Sequence, residues 1–180
     1  ENSAFEGCKG ITSLSFEDCG IEIDNFLAVL CQSKMENLTY LNLNKNVCGE
    51  KISKTLEFPS SLTHISVNDV SWKKNSLVTF FKFFLNQRDE IHLSIARSSS
   101  YKEQWDKLFN FLSVSKCTNF RTLIWDRNPV CEALLNFLKQ NDKLSYLSMS
   151  GCFSNKESDD EKSLILLMFE YIKEARSLKT

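Results

Sequence analysis

A nine-residue pattern recurs along the chain: apolar residues at its first, fourth and sixth positions, then Asn or Cys at its ninth. The segment 38–46, Leu-Thr-Tyr-Leu-Asn-Leu-Asn-Lys-Asn, fits every defined position, and the segment 144–152 fits with Met149 at the third apolar position. Weaker copies begin at residues 11, 62, 90 and 120. The last position is Val70 in the third copy, and Glu90 replaces the first apolar residue of the fourth. Repetition at intervals of 24 to 30 residues predicts an array of stacked units rather than an irregular fold.

The segments between the copies have helical periodicity. Trp105, Leu108, Phe109 and Leu112 follow the i, i+3, i+4, i+7 spacing of an amphipathic helix. Similar patterns occupy residues 24–30, 75–85, 134–138 and 164–172, and the first two open with Asp24 and Asn75 as expected N-caps. The second gap is short and contains Pro59, so a helix of one or two turns is expected near 52–56.

A unit of one strand and one helix cannot bury its apolar face alone, whereas stacked units share a core. The pattern is typical of leucine-rich repeats. The predicted fold is therefore α/β: a leucine-rich-repeat solenoid, a segment of a ribonuclease-inhibitor-like horseshoe, with parallel strands on the concave face and helices on the convex face. We expect one domain over 1–180 with about six repeats. Neither end shows a polar capping repeat, and Leu178 opens a seventh copy, so we expect a segment of a longer protein.

Composition limits the partners. The formal net charge is -1 and no block of like charge occurs, so nucleic acid is not an expected partner. The longest uncharged apolar run, near 163–169, is too short for membrane insertion. Seven cysteines without a C-x-x-C pair favour reduced thiols and a cytoplasmic location. Protein partners are the class that remains.

The sequence shows no catalytic constellation. Only two histidines occur, no phosphate-binding Gly-rich loop is present, and no Ser-His-Asp spacing of a known kind is found. Asp159, Asp160 and Glu161 lie in a charged stretch that we interpret as a solvated loop leading into a helix, because calcium-ligand spacing is missing. We expect neither enzymatic activity nor a cofactor nor a metal.

The repeat places equivalent side chains in columns on the face of the sheet that points away from the helices, because side chains alternate along a strand. The column before the second leucine contains rings at four of its six positions. The candidate protein-binding residues on this concave face are Tyr40, Asn42, His64, Ser66, His92, Thr122, Ile124, Asp126 and Tyr146. Two interpretations stay open: the rings anchor a partner, or they stack along the column and stabilise the sheet. The histidines would make binding sensitive to pH.

The segment 121–128, Arg-Thr-Leu-Ile-Trp-Asp-Arg-Asn, resembles a strand segment of the repeat domain of CARMIL proteins, which link actin capping protein, the Arp complex and myosin-I. The following helix 134–138 and strand 141–147 continue in the order of that family. The resemblance implies a non-enzymatic, cytoplasmic scaffold that regulates actin filament assembly. Parts outside the repeats bind capping protein there, so no binding residue is transferred.

This chain departs from the family at Glu90 and in its short second repeat. The alternative to an actin-regulatory scaffold is a general recognition module. Examples are the sensor segment of an innate immune receptor and a ribonuclease-inhibitor-like binder.

Overall fold

The computed structural model describes residues 5, 7–33, 35–50, 52, 58–73, 75–85, 89–98, 102–153 and 159–178, apart from the side chains of residues 102 and 159–161. The fold is mixed α/β. The strands are β1 (Ser13–Ser15), β2 (Tyr40–Asn42), β3 (Val47–Cys48), β4 (His64–Ser66), β5 (Ser71–Trp72), β6 (Ile91–Ser94), β7 (Phe120–Ile124) and β8 (Tyr146–Ser148). The helices are α1 (Ile23–Gln32), α2 (Ser76–Phe84), α3 (Lys102–Val114), α4 (Glu132–Gln140) and α5 (Asp159–Glu174).

Six strands, one from each copy of the pattern, form a single parallel sheet in the order β1-β2-β4-β6-β7-β8. The second leucine of each copy pairs in register with its counterpart, as Leu41 does with Ile65 and Leu93 with Leu123. The prediction of six parallel strands centred on these residues is confirmed. Their order in the sheet equals their order in the chain, so equivalent positions of successive copies are neighbours.

The apolar positions of the strands meet the helices in one core. Leu41 and Leu123 are 0% and 1% exposed, and the same buried cluster contains Leu27 of α1 and Leu134 of α4. Aromatic rings fill much of the space between sheet and helices: the Trp105 and Trp125 centroids lie 4.7 Å apart at an interplanar angle of 80°. Edge-to-face pairs of this kind add to the stabilisation from burial.

The ninth position joins one copy to the next. The Asn46 side-chain amide donates to the Phe16 carbonyl at 2.7 Å, and the Asn128 amide donates to the Ile95 carbonyl. In two other copies the ninth residue makes the equivalent bond. The Ser98 hydroxyl donates to the Val67 carbonyl, and the Cys152 thiol donates to the Trp125 carbonyl. Each bond reaches the third apolar residue of the preceding copy. A side-chain donor at this position therefore satisfies a backbone oxygen between layers, as the pattern predicts.

Val70 at this position has no donor to offer. The Leu43 carbonyl, which a donor at position 70 would reach, accepts a bond from the Asn46 amide within its own copy at 3.0 Å. The departure of the third copy from the pattern is thus compensated by the copy before it.

The cap predicted at Asp24 is wrong, whereas Asn75 does lie at the N-cap position of α2. Helix α1 begins one residue before Asp24, and neither α1 nor α2 has a side-chain cap hydrogen bond. Asp24 is instead buried and accepts the Gly49 backbone N–H at 3.0 Å. A Cβ added at Gly49 would lie 2.5 Å from Asp24 Oδ2, so this close approach requires glycine. The helix expected near 52–56 lies outside the described residues except for Ile52.

The remaining differences concern α5 and the fourth copy. The stretch with Asp159, Asp160 and Glu161, which we interpreted as a loop, belongs to the first turn of α5. A register irregularity between Ile91 and His92 lets Ile91 pair with Phe120, and Ile91 is fully buried. Ile91 thus provides the apolar residue that Glu90 cannot. In α5 the predicted apolar face is only partly covered: Met168 is buried, but Leu167 and Ile172 are 45% and 38% exposed. The helix packs against α4 on one side.

Candidate functional site

The side chains at the third, fifth and seventh positions of the six copies form one surface, which we call the open face. These side chains point away from the helices because the leucines between them point into the core. A depression of about 420 Å³ lies on this face and runs from β2 to β7. Its lining includes six of the nine predicted binding residues, namely Tyr40, His64, Ser66, His92, Thr122 and Ile124. The structure therefore brings the predicted residues together on one surface.

The rings at the third position of the copies are accessible on this surface to different degrees. Tyr40 and Tyr146 are 37% and 52% exposed, and His64 is also exposed. His92 and Thr122 are half-buried between their neighbours. Exposed tyrosines combine a large apolar area with a hydroxyl group, which is the composition typical of protein-binding surfaces.

His64 and His92 stack on each other across β4 and β6. Their ring centroids are 3.8 Å apart and the planes differ by 3°. His92 Nε2 lies 2.7 Å from Glu90 Oε1, and His92 Nδ1 lies 2.9 Å from the Thr122 hydroxyl oxygen. For this pair, stacking along the column does occur. It does not exclude the partner interpretation, because the outer surface of His64 remains exposed.

Side chains at the fifth and seventh positions of the copies form hydrogen bonds from one copy to the next. We call this series of bonds the polar ladder. Asn44 Oδ1 accepts from the Ser66 hydroxyl at 2.8 Å and from the Asn68 backbone N–H at 2.7 Å. In the next copy Asn68 Oδ1 accepts in the same way from the Ser94 hydroxyl and from the Ala96 backbone N–H. Between the last two copies Asp126 Oδ1 accepts from the Ser148 hydroxyl and from the Ser150 backbone N–H. These hydrogen bonds connect neighbouring copies where each strand leads into its turn.

The ladder corrects the expectation for three candidate residues. Asn42 and Ser66 were predicted to point outward on this face, but they are only 8% and 6% exposed. The Asn42 amide donates to the Ser15 hydroxyl at 3.0 Å, and its oxygen accepts the Asn44 N–H. Asp126 is partly exposed, but its carboxylate accepts two ladder bonds. All three side chains therefore take part in hydrogen bonds between copies.

The ladder has one interruption, at the boundary between the fourth and fifth copies. Ala96 stands where Asn44, Asn68 and Asp126 stand in other copies, and Ile124 stands where serine donates in three of them. Both partners of the polar contact are thus replaced together. Ile124 is half-buried and lines the depression. We call Ala96 and Ile124 the apolar seat; Ala96 is only 9% exposed, so Ile124 provides most of its accessible apolar surface.

Charged residues border the open face at the turns. The eighth position has positive φ in every copy, for example 57° at Lys45 and 48° at Arg97. Lys45 pairs with Glu17 at 2.8 Å, and the Arg97 guanidinium binds Asp69 through two nitrogens. The hydrogen bond to Lys45 lowers the pKa of Glu17, and Asp69 raises the pKa of Arg97 in the same way. These exposed pairs contribute little to stability.

Potential metal ligands and thiols are the other chemically relevant groups of the described residues. Among the residues that the structure describes, no group of three or more His, Cys, Asp or Glu side chains could hold a metal ion. All seven cysteines lie within the described part and are free thiols. Burial raises the pKa of Cys48 and of Cys131 to about 12, so both are protonated at neutral pH. None of the described helices combines the length and apolar character needed to cross a bilayer.

The fold defines the chain as a mixed α/β protein with an open parallel sheet. No protein-family model, no curated protein and no solved structure matches it. Sequence reasoning missed the pair of short strands β3 and β5, and it predicted Ile124 as a candidate without combining it with Ala96. Comparing the fifth and seventh columns between copies would have found the seat, since Ile124 and Ala96 are the apolar members of columns that are otherwise polar.

Proposed function

We propose that this chain is a segment of a leucine-rich-repeat solenoid and that it is a non-enzymatic module that binds a protein partner through its open face, which is the concave face of such a solenoid. The observation that carries the proposal is the continuous surface from Tyr40 to Tyr146. It combines exposed aromatic rings with a depression of about 420 Å³ whose lining includes Ile124 of the apolar seat. Protein interfaces are built in the same way, from anchors in a pocket and a surrounding polar rim.

The arrangement also favours rigid recognition. The ladder bonds of Asn44, Asn68 and Asp126 hold successive strands in register. A partner that contacts Tyr40 and Tyr146 therefore meets anchors whose spacing is set before binding, which lowers the ordering cost of association. The apolar seat lies between these anchors and suits an apolar side chain of the partner, because desolvating Ala96 and Ile124 leaves no polar group unpaired.

The cellular role that we propose is cytoplasmic regulation of actin filament assembly of the CARMIL type. Its support is the resemblance of residues 121–128, together with seven free thiols, which suit a reducing compartment. Trp125 and Asn128 of that segment are buried, and Asn128 joins two copies. The resemblance therefore concerns mainly core and turn positions. A general recognition module of the same fold is the alternative role.

The test is affinity capture from cell extract with the 180-residue chain as bait, quantified by mass spectrometry. The double variant Tyr40→Ala/Tyr146→Ala removes both exposed anchors. Loss of anchors of this kind costs about 1–2 kcal/mol or more of binding, so a partner of the open face should fall by roughly tenfold or more. Capture of actin-regulatory proteins that depend on both tyrosines would favour the CARMIL-type role over the general module.

The matched control is Val114→Ala. Val114 is 83% exposed at the end of α3, on the helical side of the molecule. All variants should unfold within about 0.5 kcal/mol of the wild type, as surface substitutions do. A partner retained by the tyrosine variant but lost by the control would contradict binding through the open face.

A further inference from the structure

His64 and His92 are the only two histidines of the chain, and they lie side by side on adjacent strands of the sheet. Their rings are parallel and 3.8 Å apart. Neutral imidazoles stack favourably at this distance. Two imidazolium rings would repel each other, because like charges about 4 Å apart interact appreciably at a partly desolvated surface. The protonation state of the pair therefore decides whether the stack is stable.

The two rings are held differently. His92 has a hydrogen-bonding partner on each nitrogen: Glu90 Oε1 at 2.7 Å and the Thr122 hydroxyl at 2.9 Å. His64 contacts the hydroxyl of its own neighbour, Thr63, at 2.8 Å, and its ring is exposed. Glu90 and Thr122 thus hold the His92 ring from both sides. His64 is the ring that can swing into solvent.

The surroundings of His64 oppose its protonation. Burial lowers the pKa of His64 first, the charge of His92 lowers it further, and Glu90 acts in the opposite direction. Tyr40 faces His64 from β2, and Arg121 on β7 acts on Glu90. The pKa of Glu90 is itself lowered, chiefly by its hydrogen bond to His92, so this carboxylate stays ionised in mild acid.

We propose that the stacked His64–His92 pair is a proton-operated switch of the open face. At neutral pH the stack forms the middle of the depression between Tyr40 and Thr122. In mild acid His64 accepts a proton and its ring leaves the stack, while Glu90 and Thr122 keep His92 in place. The depression changes shape and gains charge, so a partner bound over it dissociates. This consequence rests on the proposed function; the switch itself belongs to the chain alone.

The direction of the linked stability change follows from the lowered pKa of His64. The unfolded chain takes up this proton near its ordinary value of 6.5, before the folded chain does. The contribution of neutral His64 to stability is therefore complete above that value and is lost as the pH falls towards the folded pKa. Acid weakens the stack without requiring the rest of the sheet to open.

The experiment is a proton NMR titration of the two imidazole Cε1–H signals between pH 7.5 and 5. The wild type should show cross-relaxation between the two rings at pH 7.5, and the switch predicts its loss as His64 titrates. In His92→Gln the midpoint of His64 should move up towards 6.5, since one of its two lowering causes is removed. Tyr40→Phe is the control and should leave the midpoint of His64 unchanged.

Far-UV circular dichroism and tryptophan fluorescence at pH 5.5 should match those at pH 7.5. An unchanged His64 midpoint in His92→Gln, contact between the rings that survives the titration, or cooperative unfolding in this pH range would each overturn the switch. His92→Asn repeats the test if the glutamine variant does not fold.

A second arm uses the open-face partner captured from cell extract. Its recovery should fall about tenfold between pH 7.5 and 5.5 with the wild type and stay constant with His64→Gln. An equal fall with both chains would contradict control by this pair. If no captured protein depends on Tyr40 and Tyr146, the proposed function fails, and the NMR titration still decides the switch.

Discussion

Replacement of Asn128 tests how the copies are joined. Its side chain is 2% exposed, its amide donates to the Ile95 carbonyl, and its oxygen accepts the Ser98 N–H at 2.9 Å. Asn128→Ala removes both bonds and leaves two backbone groups without these partners inside the protein. At about 1–3 kcal/mol for each buried group left without its bond, the free energy of unfolding should fall by about 2–6 kcal/mol.

A graded series makes the reasoning refutable. Asn128→Ser keeps a hydroxyl donor, as Ser98 does towards Val67 at 3.1 Å, so its loss should be roughly half as large. Asn25→Ala removes an exposed amide that binds Glu22 and should cost less than about 0.5 kcal/mol. Urea unfolding can be followed by the fluorescence of three tryptophans that are all buried. Equal losses for Asn128→Ala and Asn25→Ala would refute the proposed joining role.

Two further predictions concern the core and the thiols. Leu41→Ala and Leu123→Ala should each lower the free energy of unfolding by about 2–5 kcal/mol in the same urea assay, and a loss below about 1 kcal/mol would mean that these side chains do not sit between copies. In thiol titration at pH 8, exposed Cys19 should react quickly, whereas Cys48 and Cys131, whose pKa burial raises to about 12, should react only on unfolding. The denatured, unreduced chain should show all seven thiols, and a smaller number would reveal a disulfide.

Much of the fold could be predicted from the sequence because the repeat constrains it strongly. Once Leu41 and Leu147 are recognised as equivalent, period-two alternation decides which strand residues face the core. The helical spacing of Trp105, Leu108 and Phe109 then decides the face of α3, and all three are buried. These predictions depend on local periodicity, which a single sequence contains.

The errors arose where a contact between copies decides the outcome. Asp24 fits a capping position locally, but Gly49, 25 residues further along the chain, offers its backbone N–H instead. Ile91 replaces Glu90 in the core only because β6 and β7 pair with an irregular register. The strands β3 and β5 are two residues each, too short to show any period.

The candidate site was predicted in outline but not in the division of roles. The columns correctly brought Tyr40, His64 and His92 onto one surface. Counting positions could not distinguish a residue that faces solvent from one that bonds to a neighbouring copy, so Asn42 was expected to be accessible to a partner. Its burial follows from the Ser15 hydroxyl and the Asn44 N–H, which only the stacked strands bring within reach.

The central claim is that a protein partner binds on the open face, and site-specific photo-crosslinking tests it most directly. A photoreactive phenylalanine analogue placed at position 146 replaces a tyrosine that is 52% exposed; the same analogue at position 114 replaces a valine that is 83% exposed on the helical side. We predict that illumination in cell extract attaches a partner to the chain at position 146 and not at position 114. Attachment of that partner at position 114 alone would contradict binding through the open face.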